Sequence, residues 1–139
     1  VKGLPNLIRL HRWRLDEKRR TLAELERLAL ELDDQERRLA AELVREQAAA
    51  AASSEARRTY GAYARSVVER RGKIAESKAE VTTQIEQATA AVQEAFQELK
   101  RYEIALETRE KAARERAGRL EQAVLDDLGL QVFRRKSQA

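Results

Sequence analysis

Few side chains in this sequence could do acid–base or covalent chemistry, and none is arranged to do it. The chain has one His, one Trp, three Tyr, two Phe and five Gly, and no Cys. Without Cys there is no disulfide, thiolate metal site or thiol nucleophile. His11 has no carboxylate or Cys partner at ligand spacing, so it reads as a seam residue rather than a metal ligand. No Gly-rich phosphate loop, paired metal motif or Ser/His/Asp set can be assembled, and neither catalysis nor a cofactor is expected. The many Asp and Glu alternate with Arg and Lys, the pattern of solvated faces.

What these residues can do is recognise. Trp13, flanked by Arg12 and Arg14, has the composition of an interface anchor. Its alternative is to pack on the C-terminal overhang of a second helix. Tyr60 and Tyr63, followed by Val67 and Val68, suit either a contact patch or the closure of a helical tip. Basic residues gather at the start (Arg9, Arg12, Arg14, Lys18, Arg19, Arg20) and again in the tail (Arg134, Arg135, Lys136). Such a set either keeps a helical surface soluble or steers docking onto an acidic partner.

The elements that position these groups are legible from periodicity. Leu15, Leu22, Ala29, Glu36 and Leu43 recur every seven residues, interleaved with Lys18, Leu25, Leu32 and Leu39. Spacings of three and four put them on one narrow stripe, the a/d seam of a coiled coil. In the same frame His11 takes a d position and Trp13 an outward f position. A second seven-residue series runs Tyr60, Val67, Ile74, Val81, Ala88, Ala95, Tyr102, joined by Ile85, Val92, Leu99, Leu106, Ala113 and Leu120. With 37% charged and 4% aromatic residues in 139, the chain has the makeup of long helices around a thin core.

Taken in order, a short lead-in, Val1 to Leu4, precedes Pro5, which suits a first helical turn. Asp16/Arg20, Asp33/Arg37 and Asp34/Arg38 are spaced to support the helix at i,i+4. Helix 1 is expected over about 5–50, a turn over about 51–57, helix 2 over about 58–128, and a basic tail over 129–139. Ser53 or Ser54 can cap the new helix, with Glu55 in its first turn. Gly72 is the rival turn site, but the Tyr60 series passes through it in phase. Gly129 suits a C-terminal stop. The expectation is a single all-α domain, a long antiparallel two-helix coiled-coil hairpin, with Leu43 near Arg65 and Ile8 near Lys100. One continuous helix that dimerises is the open alternative. In the antiparallel hairpin both basic sets would lie towards one end.

The longest apolar run, Ala48 to Ala52, is far short of a membrane span, and no secretion signal pattern is present. A soluble cytoplasmic protein without direct membrane insertion is expected. Net charge is +4 and the isoelectric point 9.6. Basic and acidic residues nevertheless alternate along most of the length, a poor footprint for nucleic acid.

The opening Leu7-Ile8-Arg9-Leu10-His11-Arg12-Trp13-Arg14-Leu15-Asp16-Glu17-Lys18-Arg19-Arg20 with Leu22-Ala23-Glu24-Leu25-Glu26 resembles the N-terminal part of the flagellar export protein FliJ family. The closing Lys100-Arg101-Tyr102-Glu103 with Leu106-Glu107, then Leu125-Asp126-Asp127 and the basic tail, is similar to that family's C-terminal part. The resemblance implies a non-enzymatic component of the bacterial flagellar type III export apparatus. Its fold would be like the central stalk of rotary ATPases, and it would sit at the cytoplasmic side of the flagellar base, peripheral to the inner membrane. The implied partners are the hexameric export ATPase, the cytoplasmic domain of the membrane export gate and, for some members, export chaperones. By position the ATPase-facing residues are Arg9, Arg12, Trp13, Arg14, Arg134, Arg135 and Lys136, and the gate-facing ones Leu39, Leu43, Tyr60, Tyr63 and Val67. The alternatives are a stalk of a needle-type secretion system or rotary ATPase, and a basic structural or nucleic-acid-associated coiled coil.

Overall fold

The computed structural model describes residues 3–138. Val1 and Lys2 of the expected lead-in and Ala139 of the expected tail lie outside the described residues. Two helices that pack against each other make up the chain: α1, Leu4–Ala52, and α2, Ser54–Gln138. No strand occurs among the described residues. The all-α two-helix fold expected from the seam is the one adopted.

Local signals explain the helix ends. The Gly3 carbonyl accepts the Leu7 N–H at 2.9 Å, so the first turn closes around Pro5, whose missing N–H costs nothing there. Ser53 alone separates the helices and caps α2: its hydroxyl accepts the Ala56 N–H at 3.4 Å and its carbonyl the Arg57 N–H at 3.2 Å. Glu55 sits in the first turn, favourable for the helix dipole. Arg57 Nε donates to the Ala50 carbonyl at 3.5 Å, closing the end of α1. Gly72 and Gly129 lie inside α2 without positive φ. Helix 2 therefore does not stop near Leu128 but runs on to Gln138, ten residues of expected tail included. A glycine ends a helix by adopting the left-handed conformation, and Gly129 does not. Beyond it the Ser137 hydroxyl donates to the Phe133 carbonyl at 3.0 Å, in helical i−4 register.

The chain divides into two compact units. The hairpin unit is Trp13–Phe96. Its core is Leu15, Leu32, Leu39, Val67, Val81 and Ala88, all members of the two seven-residue series, flanked by half-buried Leu22, Leu25, Leu43 and Ile74. Of the i,i+4 pairs expected here, Asp34–Arg38 forms at 2.6 Å, whereas Arg20 pairs with Glu17 at 2.8 Å. Asp33 turns instead across the seam. Lys78 Nζ meets Asp33 at 3.0 Å and Glu36 at 3.2 Å, and Arg70 meets Glu42 at 3.2 Å. This explains a carboxylate in the leucine series: Glu36 answers a lysine on the facing helix. Such polar layers fix register at some cost in stability. With Arg70 opposite Glu42, Leu43 faces the Val68–Arg70 turn rather than Arg65, about one helical turn from the expected register.

Lys78 is held above its ordinary lysine value of 10.5, first by the hydrogen bond to Asp33 and then by that to Glu36. A raised folded value means that its contribution is whole at neutral pH and is lost as pH rises through that value. We therefore expect the difference in urea midpoint between the wild type and Lys78→Gln to shrink as pH is raised from about 9 to about 11.5, around the lysine range. A difference constant across that range would contradict the ion-pair layer.

The terminal unit is Val1–Arg12 with Gln97–Ala139. Ile8, His11 and Leu99 are its buried residues. His11, 5% exposed on the seam as its d position requires, stacks on Tyr102 with ring centroids 4.6 Å apart and places Nδ1 3.6 Å from Glu98. Leu106 is the last half-buried residue of α2, and residues 107–138 are all exposed.

Candidate interaction surfaces

Among the described residues no group of three His, Cys, Asp or Glu is placed to hold a metal, and no helix is long and apolar enough to cross a membrane. The candidate sites are surfaces. Each is described within its own unit.

In the hairpin unit, the residues expected at the tip divide by depth. Leu39 and Val67 are 6% and 3% exposed and belong to the core. Leu43, Tyr60 and Tyr63 are half-buried at its margin. Tyr60 and Tyr63 lie ring to ring at 6.2 Å, and the Arg70 guanidinium stands 5.8 Å from the Tyr63 ring centroid. Cation and ring face attract through the ring quadrupole. Desolvation, followed by the Glu42 carboxylate, raises the Tyr63 pKa above 10.0 against the opposing pull of Arg70. Val44 and Val68 are exposed. Val44 is absent from the expected set because it lies off both heptad series.

Trp13, in the first turn of the hairpin unit, is 60% exposed, as its outward f position requires. Arg14 beside it is exposed too. In the terminal unit, Arg9 and Arg12 border an open groove with Pro5, Ile8, Leu106 and the acidic row Glu103, Glu107 and Glu110. Arg134, Arg135 and Lys136 are exposed on α2. At 1.5 Å per residue they stand about 40 Å along the helix from Leu106, and the unbroken helix through Gly129 carries them there.

Sequence reasoning did not single out the run of exposed apolar residues near the end of α2. Leu120, Val124, Leu125, Leu128, Leu130, Val132 and Phe133 are all at least half exposed in the uncovered part of α2. The heptad frame fails there, since Asp127 and Arg134 fall on its a positions. A 3.6-residue frame keeps the stripe, running Leu106, Ala113, Ala117, Leu120, Val124, Leu128. The change of period was the available signal: a 3.5 repeat wraps a partner helix, whereas 3.6 tracks one face of a straight helix.

The family described as "Flagellar FliJ protein" matches residues 2–138. No curated protein and no solved structure matches the chain.

Proposed function

The chain belongs to the flagellar FliJ family, a non-catalytic component of flagellar export, and from that premise we propose that it is a stalk linking the export ATPase ring to the membrane export gate. In this reading it binds on the cytoplasmic side of the flagellar base and raises the turnover of the ring. The observation that carries the reading is the part of α2 over 107–138, helical yet uncovered, with leucines and valines on one face and Arg134, Arg135 and Lys136 at its end. A helix that keeps an apolar face in water is at rest only when a partner covers it. The start of α1 adds Arg9, Arg12, Trp13 and Arg14 as ring contacts, with the exposed indole as anchor. For the gate, Tyr60, Tyr63 and Leu43 offer the contact surface, and Leu39 and Val67 support it from below. Export chaperones are a further partner class, in keeping with exposed Leu30 and Ile104 elsewhere on the helices.

The test is a turnover assay of the hexameric export ATPase with and without this chain. Replacing Arg12, Trp13 and Arg14 together by Ala is expected to return turnover to the basal rate. The helices should remain folded, because all three side chains are exposed. Undiminished stimulation by that variant would remove the start of α1 from the ring contact.

A further inference from the structure

One apolar face of α2 passes from a covered stretch into an uncovered one. Leu99 is buried, Tyr102 stacks on His11, and Leu106 shares a groove with Pro5 and Ile8. At about 100° per residue, Ala113, Ala117, Leu120, Val124 and Leu128 fall on this same face. Helix α1 occupies it only up to its own start at Leu4. We propose that the remainder is covered by the same stretch of a second copy of this chain, running antiparallel, with Glu110 of each copy opposite Arg135 of the other.

Direction follows from what already occupies the face. A parallel partner helix, continued along the stripe, would run into α1 beside Leu106. An antiparallel one ends there, its last residues meeting the first turn of α1 where Pro5 shares a groove with Glu107 and Glu110. Register follows from size and charge. Setting Glu110 against Arg135 places Ala117 opposite Leu128, Ala113 opposite Val132, and Leu120 beside Val124 and Leu125, so that small residues meet large ones. The basic end Arg134 to Lys136 then approaches the acidic row Glu103, Glu107 and Glu110. On the other flank Arg116 comes near Asp127; the like-charge meetings are Arg109 with Arg134 and Glu121 with Glu121 across the two-fold. Parallel pairing in register would set Glu110 beside Glu110 and lose the match between Ala117 and Leu128.

The paired stretch, about 25 residues of each copy, is about 38 Å long. A helix pair of that length sits near the lower bound of stable interfaces, about 1,200 Å². Association is therefore expected at tens of micromolar and dissociation below about 1 μM. The inference does not rest on the export reading. Because both use one face, the pair is the form in which an unengaged chain hides its stripe.

The experiment joins sedimentation equilibrium of the full chain to disulfide trapping, which is clean because the chain has no Cys. Glu110→Cys mixed with Arg135→Cys at about 50 μM, above the dissociation range expected for a small interface, should give a mixed disulfide on oxidation, in excess of either homodisulfide. Leu120→Glu with Leu128→Glu should weaken association at least tenfold and abolish the trap, while circular dichroism shows α1 and α2 intact. A chain that stays monomeric throughout, homodisulfides of Glu110→Cys in excess, or association untouched by the two glutamates would each overturn the proposal.

Discussion

Leu39→Ala is expected to lower the free energy of unfolding by about 2–3 kcal/mol, and Leu39→Asp by more. The physical reason is the thinness of the core. Among the described residues Leu39 is one of eight buried apolar residues shared by the two helices, none of them fully sealed from solvent. Truncating it removes transfer free energy and leaves a gap that two straight helices can only partly close, which places the cost at the lower end of the usual range for leucine. Aspartate at the same position puts a carboxylate into the buried seam, where it loses its hydration. The neighbouring cation, Arg70, is already engaged by Glu42 and stands over Tyr63. Trp13→Ala, by contrast, removes a larger side chain from an exposed site and should change stability by no more than about 0.5 kcal/mol. Urea denaturation followed by circular dichroism measures all three. Equal losses at Leu39 and Trp13 would mean that the seam is not what holds the helices together.

The second expectation separates holding from acting. Removal of residues 107–139 should leave the urea midpoint of the remaining helices unchanged within error. The same truncation should abolish stimulation of the export ATPase. The first half follows from burial: from Glu107 onward every described residue of α2 is exposed, so the segment adds no buried contact to α1. The second half follows from the proposal that the uncovered stripe around Leu120, Val124 and Leu128 is the ring contact. A truncated chain that still stimulates would put the contact elsewhere, with Trp13 and its flanking arginines the remaining candidates. A truncated chain that loses its fold would show that the extension stabilises the helix pair by a route its exposure does not reveal.

The seam was legible because it repeats. Leu15, Leu32 and Leu39 on one side and Val67, Val81 and Ala88 on the other are buried at the positions the seven-residue series assigned. His11 could be placed without any knowledge of its partners, since a d position predicts burial whatever it touches. Its stack on Tyr102 could not be, because register between two heptad stripes is set by pairs, and those pairs depend on how many residues the turn consumes. Lys78 with Asp33 and Glu36 fixes that register, yet in the sequence Lys78 is one cation among many. Gly129 misled for a related reason. Glycine permits a left-handed stop but does not compel one, and the residues after it continue the helix. At the tip, Leu39 and Val67 entered the gate-facing set through the family resemblance, which assigns positions along the chain; their burial under the facing helix is a matter of packing that such an assignment does not carry. The extension was the least legible part. Its stripe keeps a straight helix's period, and a search for a coiled-coil seam passes over it.

A chain that acts on the export ATPase without chemistry of its own is expected, when the purified full chain is titrated into the hexameric flagellar export ATPase and ATP turnover is followed, to give a saturable rise that the Arg12, Trp13 and Arg14 triple alanine variant fails to produce. Turnover that stays at its basal rate at every concentration of the wild-type chain would contradict it.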